Sequence, residues 1–156
     1  MPKIAKKQTI AVAARATDAG ICAQTQVMTA RGGVMVEALV VGDRVVTRDG
    51  GFQELRAITA EDVKMKPVRI KAGSLGHTRP DVDTLVPRGT RIHIRDWRAT
   101  VLFGAAFANV AARRLADGEF IAVQPTQQVT VYTLGFDREE VIYAGGMEIV
   151  VDAVAA

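Results

Sequence analysis

Residues 27–50 read VMTARGGVMVEALVVGDRVVTRDG, and the glycines in and just after that stretch divide it into short pieces. Arg31-Gly32-Gly33, Val41-Gly42-Asp43 and Asp49-Gly50-Gly51 are turn signals, because glycine reaches backbone angles closed to other residues and aspartate bonds its own backbone. Between them, Val34 to Leu39 and Arg44 to Arg48 alternate apolar and polar residues with a period of two, which predicts strands with one face buried.

The same rhythm continues outward. Val68 to Lys71, Gln128 to Leu134 and Arg91-Ile92-His93-Ile94-Arg95 all alternate, and Ala144-Gly145-Gly146 supplies another turn. Short strands with glycine turns about every ten residues predict an all-β sandwich or barrel-like fold. Residues 105–116 (AAFANVAARRLA) break the pattern. They are alanine-rich, space Phe107, Val110 and Leu115 at nearly helical intervals and stop at Asp117-Gly118, so one short helix is predicted there.

Bulk composition narrows the function classes. A chain of 156 residues with 49% hydrophobic and 24% charged residues fits one globular domain. The net charge is +3. Lys3, Lys6 and Lys7 supply much of it, and eight aromatic residues are too few for a base-stacking platform, so nucleic acid ranks as a weak third choice. No apolar run reaches the roughly 20 residues of a membrane span; the longest, near 101–112, is interrupted by Gly104 and Asn109. At the N-terminus, Arg15 cuts the apolar stretch Thr9-Ile10-Ala11-Val12-Ala13-Ala14 short of a signal peptide's core. Residues 1–19 therefore read as an arm or edge strand ahead of a domain at 20–156. The compartment stays open between the cytoplasm and an exported or virus-like assembly. A single cysteine, Cys22, excludes an intramolecular disulfide. One Cys and two scattered His cannot furnish a usual soft metal site, and no Walker-type phosphate loop is present, so no metal or cofactor is expected.

The order of the blocks carries a further message. Residues 27–50, with their VE-x-L-x-x-GD-x-V-x-T-x-DG pattern, resemble the opening of a bacterial Hint (hedgehog/intein) domain. Residues 67–76 (PVRIKAGSLG), Leu85-Val86 with 91–99 (RIHIRDWRA), and 136–146 (FDREEVIYAGG) are similar to its later segments, in the same order. The resemblance spans about residues 20–150 and implies the horseshoe-like, all-β Hint fold. It also implies an activity: cleavage of the peptide bond preceding the first domain residue, by a cysteine thiolate with a histidine to handle the proton.

The residues that this chemistry needs are replaced. The family's cysteine position falls on Gly20, which has no nucleophile. Counting back from Trp97, the Ser-Pro-x-His block falls on Pro87-Arg88-Gly89-Thr90, so Pro87 stands for the hydroxyl and Thr90 for the histidine. The late FDR-H histidine is Glu139. Cys22 lies about 6–7 Å further along an extended chain, too far for attack at roughly 3 Å. It reads as a small buried apolar side chain. A shifted Thr-x-x-His does exist at Thr90 to His93, but His93 alternates with Ile92 and Ile94 and is expected to face solvent; His77 is expected on a surface loop. The chain also ends 152–156 (DAVAA) without the His-Asn pair that splicing requires.

These readings lead to a non-catalytic Hint-fold domain serving as a structural or protein-interaction module in a larger assembly, with a protein partner or another copy of itself. The alternative is a self-cleaving domain that uses Cys22 with Thr90 and His93, or with His77 in place of His93.

Overall fold

The computed structural model describes residues 18–76 and 78–154. Lys3, Lys6, Lys7, the 9–12 stretch and His77 lie outside the described residues, so the expected arm and the His77 loop are not placed. Among the described residues, fourteen strands run in the order β1 Ile21–Cys22, β2 Gln26–Thr29, β3 Gly32–Met35, β4 Arg44–Val46, β5 Phe52–Glu54, β6 Ala57–Met65, β7 Val68–Ile70, β8 Thr84–Val86 and β9 Arg91–Ile94. Then come the helix α1 Trp97–Phe103, β10 Ala108–Ala111, β11 Ile121–Val123, β12 Gln127–Gly135, β13 Glu140–Ala144 and β14 Met147–Val151. The all-β expectation with one short helix holds.

The strands form three antiparallel sheets, β1-β12-β6, β11-β7-β8, and a large sheet ordered β10-β9-β14-β13-β2-β4-β5 with β3 added on β2. One apolar cluster draws on all three: Ile21, Ile58 and Tyr132 from the first, Ile70, Val86 and Ile121 from the second, Val27, Ile92, Ile142 and Ile149 from the third. Together they curl into the half-barrel that the sequence resemblance implies.

Three polar residues in the quoted stretch shape the nearby chain. Val36, Leu39 and Val45 are fully buried. Between them, the Glu37 carboxylate accepts from the Gln24 amide at 2.7 Å and Asp43 from the Val40 amide at 2.9 Å. The Thr47 hydroxyl donates to the Gly51 carbonyl at 2.7 Å and accepts from the Gly50 amide at 2.9 Å, which closes the turn before β5. Gly51 sits at φ 67°, where a β-carbon is disfavoured.

The helix is displaced from its expected place. Residues 105–116 hold β10 and a 3₁₀ turn at Ala112–Leu115, whereas α1 occupies 97–103. Asp96 caps α1 by accepting from the Arg98 amide at 3.0 Å, and Gly104 at φ 66° ends it. Alanine's helix propensity at 108–111 yields to pairing with β9, where Val110 faces Ile92 and Asn109 faces His93.

Candidate functional site

The chain approaches β1 through a backbone clamp. The Gly89 amide donates to the Asp18 carbonyl at 2.6 Å. The Thr90 hydroxyl accepts from the Gly20 amide at 3.0 Å and donates to the Gly20 carbonyl at 2.9 Å. Thr90 is 2% exposed, and its own amide closes a turn on the Pro87 carbonyl at 3.1 Å. The fold thus brings Gly20, Pro87 and Thr90 to one place, although 70 residues separate Gly20 from Thr90.

Little room remains at that place. Gly20 has φ 142°, and a β-carbon built on it would lie 2.7 Å from Val131 Cγ1 and 2.8 Å from the Tyr132 carbonyl oxygen. The second contact is with backbone, which cannot swing aside as a side chain can. Gly89 is also close-packed: a β-carbon there would lie 2.7 Å from the Asp18 carbonyl oxygen.

Cys22 lies in β1, paired with Val131, and is 5% exposed. Burial pushes its thiol pKa up to about 11, so only about one thiol in 10⁴ is ionised at pH 7. No hydrogen bond or ion pair joins it to His93 among the described residues. It lines a cleft of about 740 Å³, together with the apolar side chains Met28, Met35, Leu85 and Val129 and the carboxylates Asp81 and Asp83.

His93 departs from expectation. It is buried, 9% exposed, because side chains from neighbouring elements cover the face that alternation would leave to solvent. Phe107 lies against the imidazole with ring centroids 5.3 Å apart, Nδ1 meets Asn109 Oδ1 at 2.7 Å, and Nε2 stands 4.0 Å from Glu148. Glu139, by contrast, sits at the surface, paired with Arg91 at 3.3 Å.

Sequence reasoning misses Glu148. It is 2% exposed as the second residue of β14, whose five residues are all buried. Three guanidiniums hold its carboxylate: Arg95 through two bonds at 3.2 and 2.6 Å, Arg79 at 3.0 Å and Arg48 at 3.4 Å. Burial pushes its pKa upward, but the hydrogen bond and charge of Arg95, then the charges of Arg79 and His93, outweigh that and hold it below the ordinary carboxylate range. The lone charge within Met147-Glu148-Ile149-Val150-Val151 is the available signal, since a carboxylate survives in an apolar run only when paired. Among the described residues, no three His, Cys, Asp or Glu side chains gather as a metal ion would require.

The curled sheets, with the first strand's leading residue against a loop some seventy positions away, define the intein-like class of β fold. The solved structure of the gp41-1 intein has this fold, with a TM-score of 0.53, 14% identity, and 83% of this chain and 96% of that one covered. So does a bacterial intein-like domain from Clostridium thermocellum, with a TM-score of 0.53, 17% identity, and 85% and 97% covered. The family model of the Hint domain matches residues 19–149, and the chain belongs to the Hint domain family. No curated protein matches the chain.

Proposed function

We propose that this Hint domain does not cleave its own backbone and that its scaffold serves as a structural or protein-interaction module. The observation that carries this reading is the double hydrogen bond between the Thr90 hydroxyl and Gly20. Scission of the Ala19–Gly20 bond needs a nucleophile on residue 20 and a group that protonates the departing amide nitrogen. At that nitrogen stands a threonine hydroxyl that accepts the amide hydrogen, and an aliphatic alcohol is far too weak an acid to replace imidazolium near neutral pH. Residue 20 carries no side chain and has no space for one. What the clamp does instead is fix the chain's path into β1.

The self-cleaving alternative through Cys22 is disfavoured by that thiol's burial and raised pKa. The cleft beside Cys22, mostly apolar with Asp81 and Asp83 among its lining residues, supports the interaction role, since it is large enough for several side chains of a partner segment. Fusing a reporter protein ahead of Met1 tests the reading: the reporter stays attached through prolonged incubation with thiol. Its release at Gly20 or Cys22 would overturn the proposal. Light scattering on the purified chain tests the assembly role, which predicts a defined mass above 16.7 kDa.

A further inference from the structure

A different surface carries the next inference. The helix α1 buries Ala99 and turns the opposite arc outward: Trp97, Val101 and Leu102 are 62, 68 and 52% exposed. At 100° per residue these three side chains span about 140° of the helix. Phe107, just beyond the helix, is 58% exposed. With half or more of each side chain open to solvent, the four stand out from the surface, and none lines the cleft beside Cys22.

Cations outnumber carboxylates around this face, although Arg98 itself is paired with the helix-capping Asp96 at 2.6 Å. Residues 97–116 (WRATVLFGAAFANVAARRLA) contain three arginines and no aspartate or glutamate. The Arg114 guanidinium lies 5.1 Å from the ring of Phe103, the last residue of α1, which places it beside the helix. Arg113 and Arg88 are exposed next to it, joined by the Arg113 amide to the Arg88 carbonyl at 3.0 Å. Beyond them the exposed Asp117 accepts from the Glu119 and Ile121 amides at 2.8 and 3.0 Å, and Glu119 is exposed beside it.

We propose that this face docks the domain on an anionic lipid surface. A protruding apolar arc flanked by arginines, with tryptophan at its edge, matches both halves of such a surface: an acyl boundary for the apolar groups and lipid phosphates for the cations. A second copy fits poorly, because a two-fold pairing of one patch with itself would set the arginines of both copies against each other. A groove-bound peptide fits poorly as well, since the face is not recessed. Among the described residues no helix is long and apolar enough to cross a membrane, so the contact is peripheral. This proposal does not depend on whether the chain cleaves itself.

Trp97 is the only tryptophan of the chain and so reports directly. The full chain is titrated with phosphatidylcholine vesicles, with and without phosphatidylglycerol, and Trp97 emission is followed. The expected result is a blue shift and protection from aqueous quencher with the anionic vesicles only. Losing one arginine contact weakens binding about fivefold, so Arg113→Gln with Arg114→Gln should weaken it about 30-fold. Val101→Glu, at a position so exposed that folding is spared, should abolish the shift. No shift with anionic vesicles overturns the proposal. So does a shift that grows with protein concentration in the absence of vesicles, which marks self-association, or an equal shift with polyglutamate, which marks an acidic polypeptide partner.

Discussion

The hydroxyl of Thr90 accepts the amide hydrogen of Gly20 and donates to the same residue's carbonyl, at 3.0 and 2.9 Å. One side chain thereby satisfies both backbone groups of the residue that opens the domain. Thr90→Val keeps the shape and removes both bonds, leaving two backbone groups unpaired. The expected loss is about 2 kcal/mol in urea unfolding, while Thr90→Ser should retain most of the stability. Equal stability of the valine variant and the parent would contradict the clamp.

Restoring the family's reactive pair should not restore reaction. The backbone of Gly20, at φ 142°, resists any β-carbon, and so does the Tyr132 carbonyl oxygen, 2.8 Å from where that carbon would sit. Gly20→Ala is expected to destabilise by about 1–3 kcal/mol. Gly20→Cys combined with Thr90→His should remain uncleaved, as read by gel electrophoresis with and without thiol. Efficient cleavage in the double variant would show that the position is open after all.

The free thiol has a pH signature. Its pKa is about 11 in the fold against 9.0 for the ordinary group, so the unfolded chain releases this proton first as pH rises. The stability contributed by the neutral thiol is complete below pH 9 and is lost between about 9 and 11, roughly 2–3 kcal/mol in all. Cys22→Ser lacks this loss, so the gap between parent and variant should change across that window in urea unfolding. At neutral pH the native thiol should resist iodoacetamide and react once the chain is unfolded; rapid native alkylation would contradict its burial.

Glu148 works in the opposite direction. Its pKa is held low in the fold, so its contribution is present above the unfolded value, near 4.5, and disappears as pH falls through the folded one. Glu148→Gln leaves three arginines around a neutral amide and should cost about 3 kcal/mol at pH 7. That cost should shrink toward pH 3, and a pH-independent difference between the two proteins would refute the charge cluster.

Where the sequence is legible, the causes are local. Glu37, Asp43, Thr47 and Gly51 each bond or bend within a few residues or within one hairpin, so their motif announces the turns directly. The position of α1 is also local, written in the Asp96 cap and the Gly104 stop. The alanines at 105–116 mask those signals, and only the pairing of β10 with β9 explains why they give way. His93 cannot be read from alternation, because what covers its face is Phe107 and Glu148, brought in from other elements. The meeting of Gly20 and Thr90 spans 70 residues. Only the family's block order, laid over the chain, points to it.

The most direct test of the central claim is an intact-mass time course on the untagged chain at neutral pH, with and without dithiothreitol. A single species at 16.7 kDa is expected throughout. A thiol-accelerated product lacking the residues before Gly20 or before Cys22 would show that the domain still cuts its own backbone.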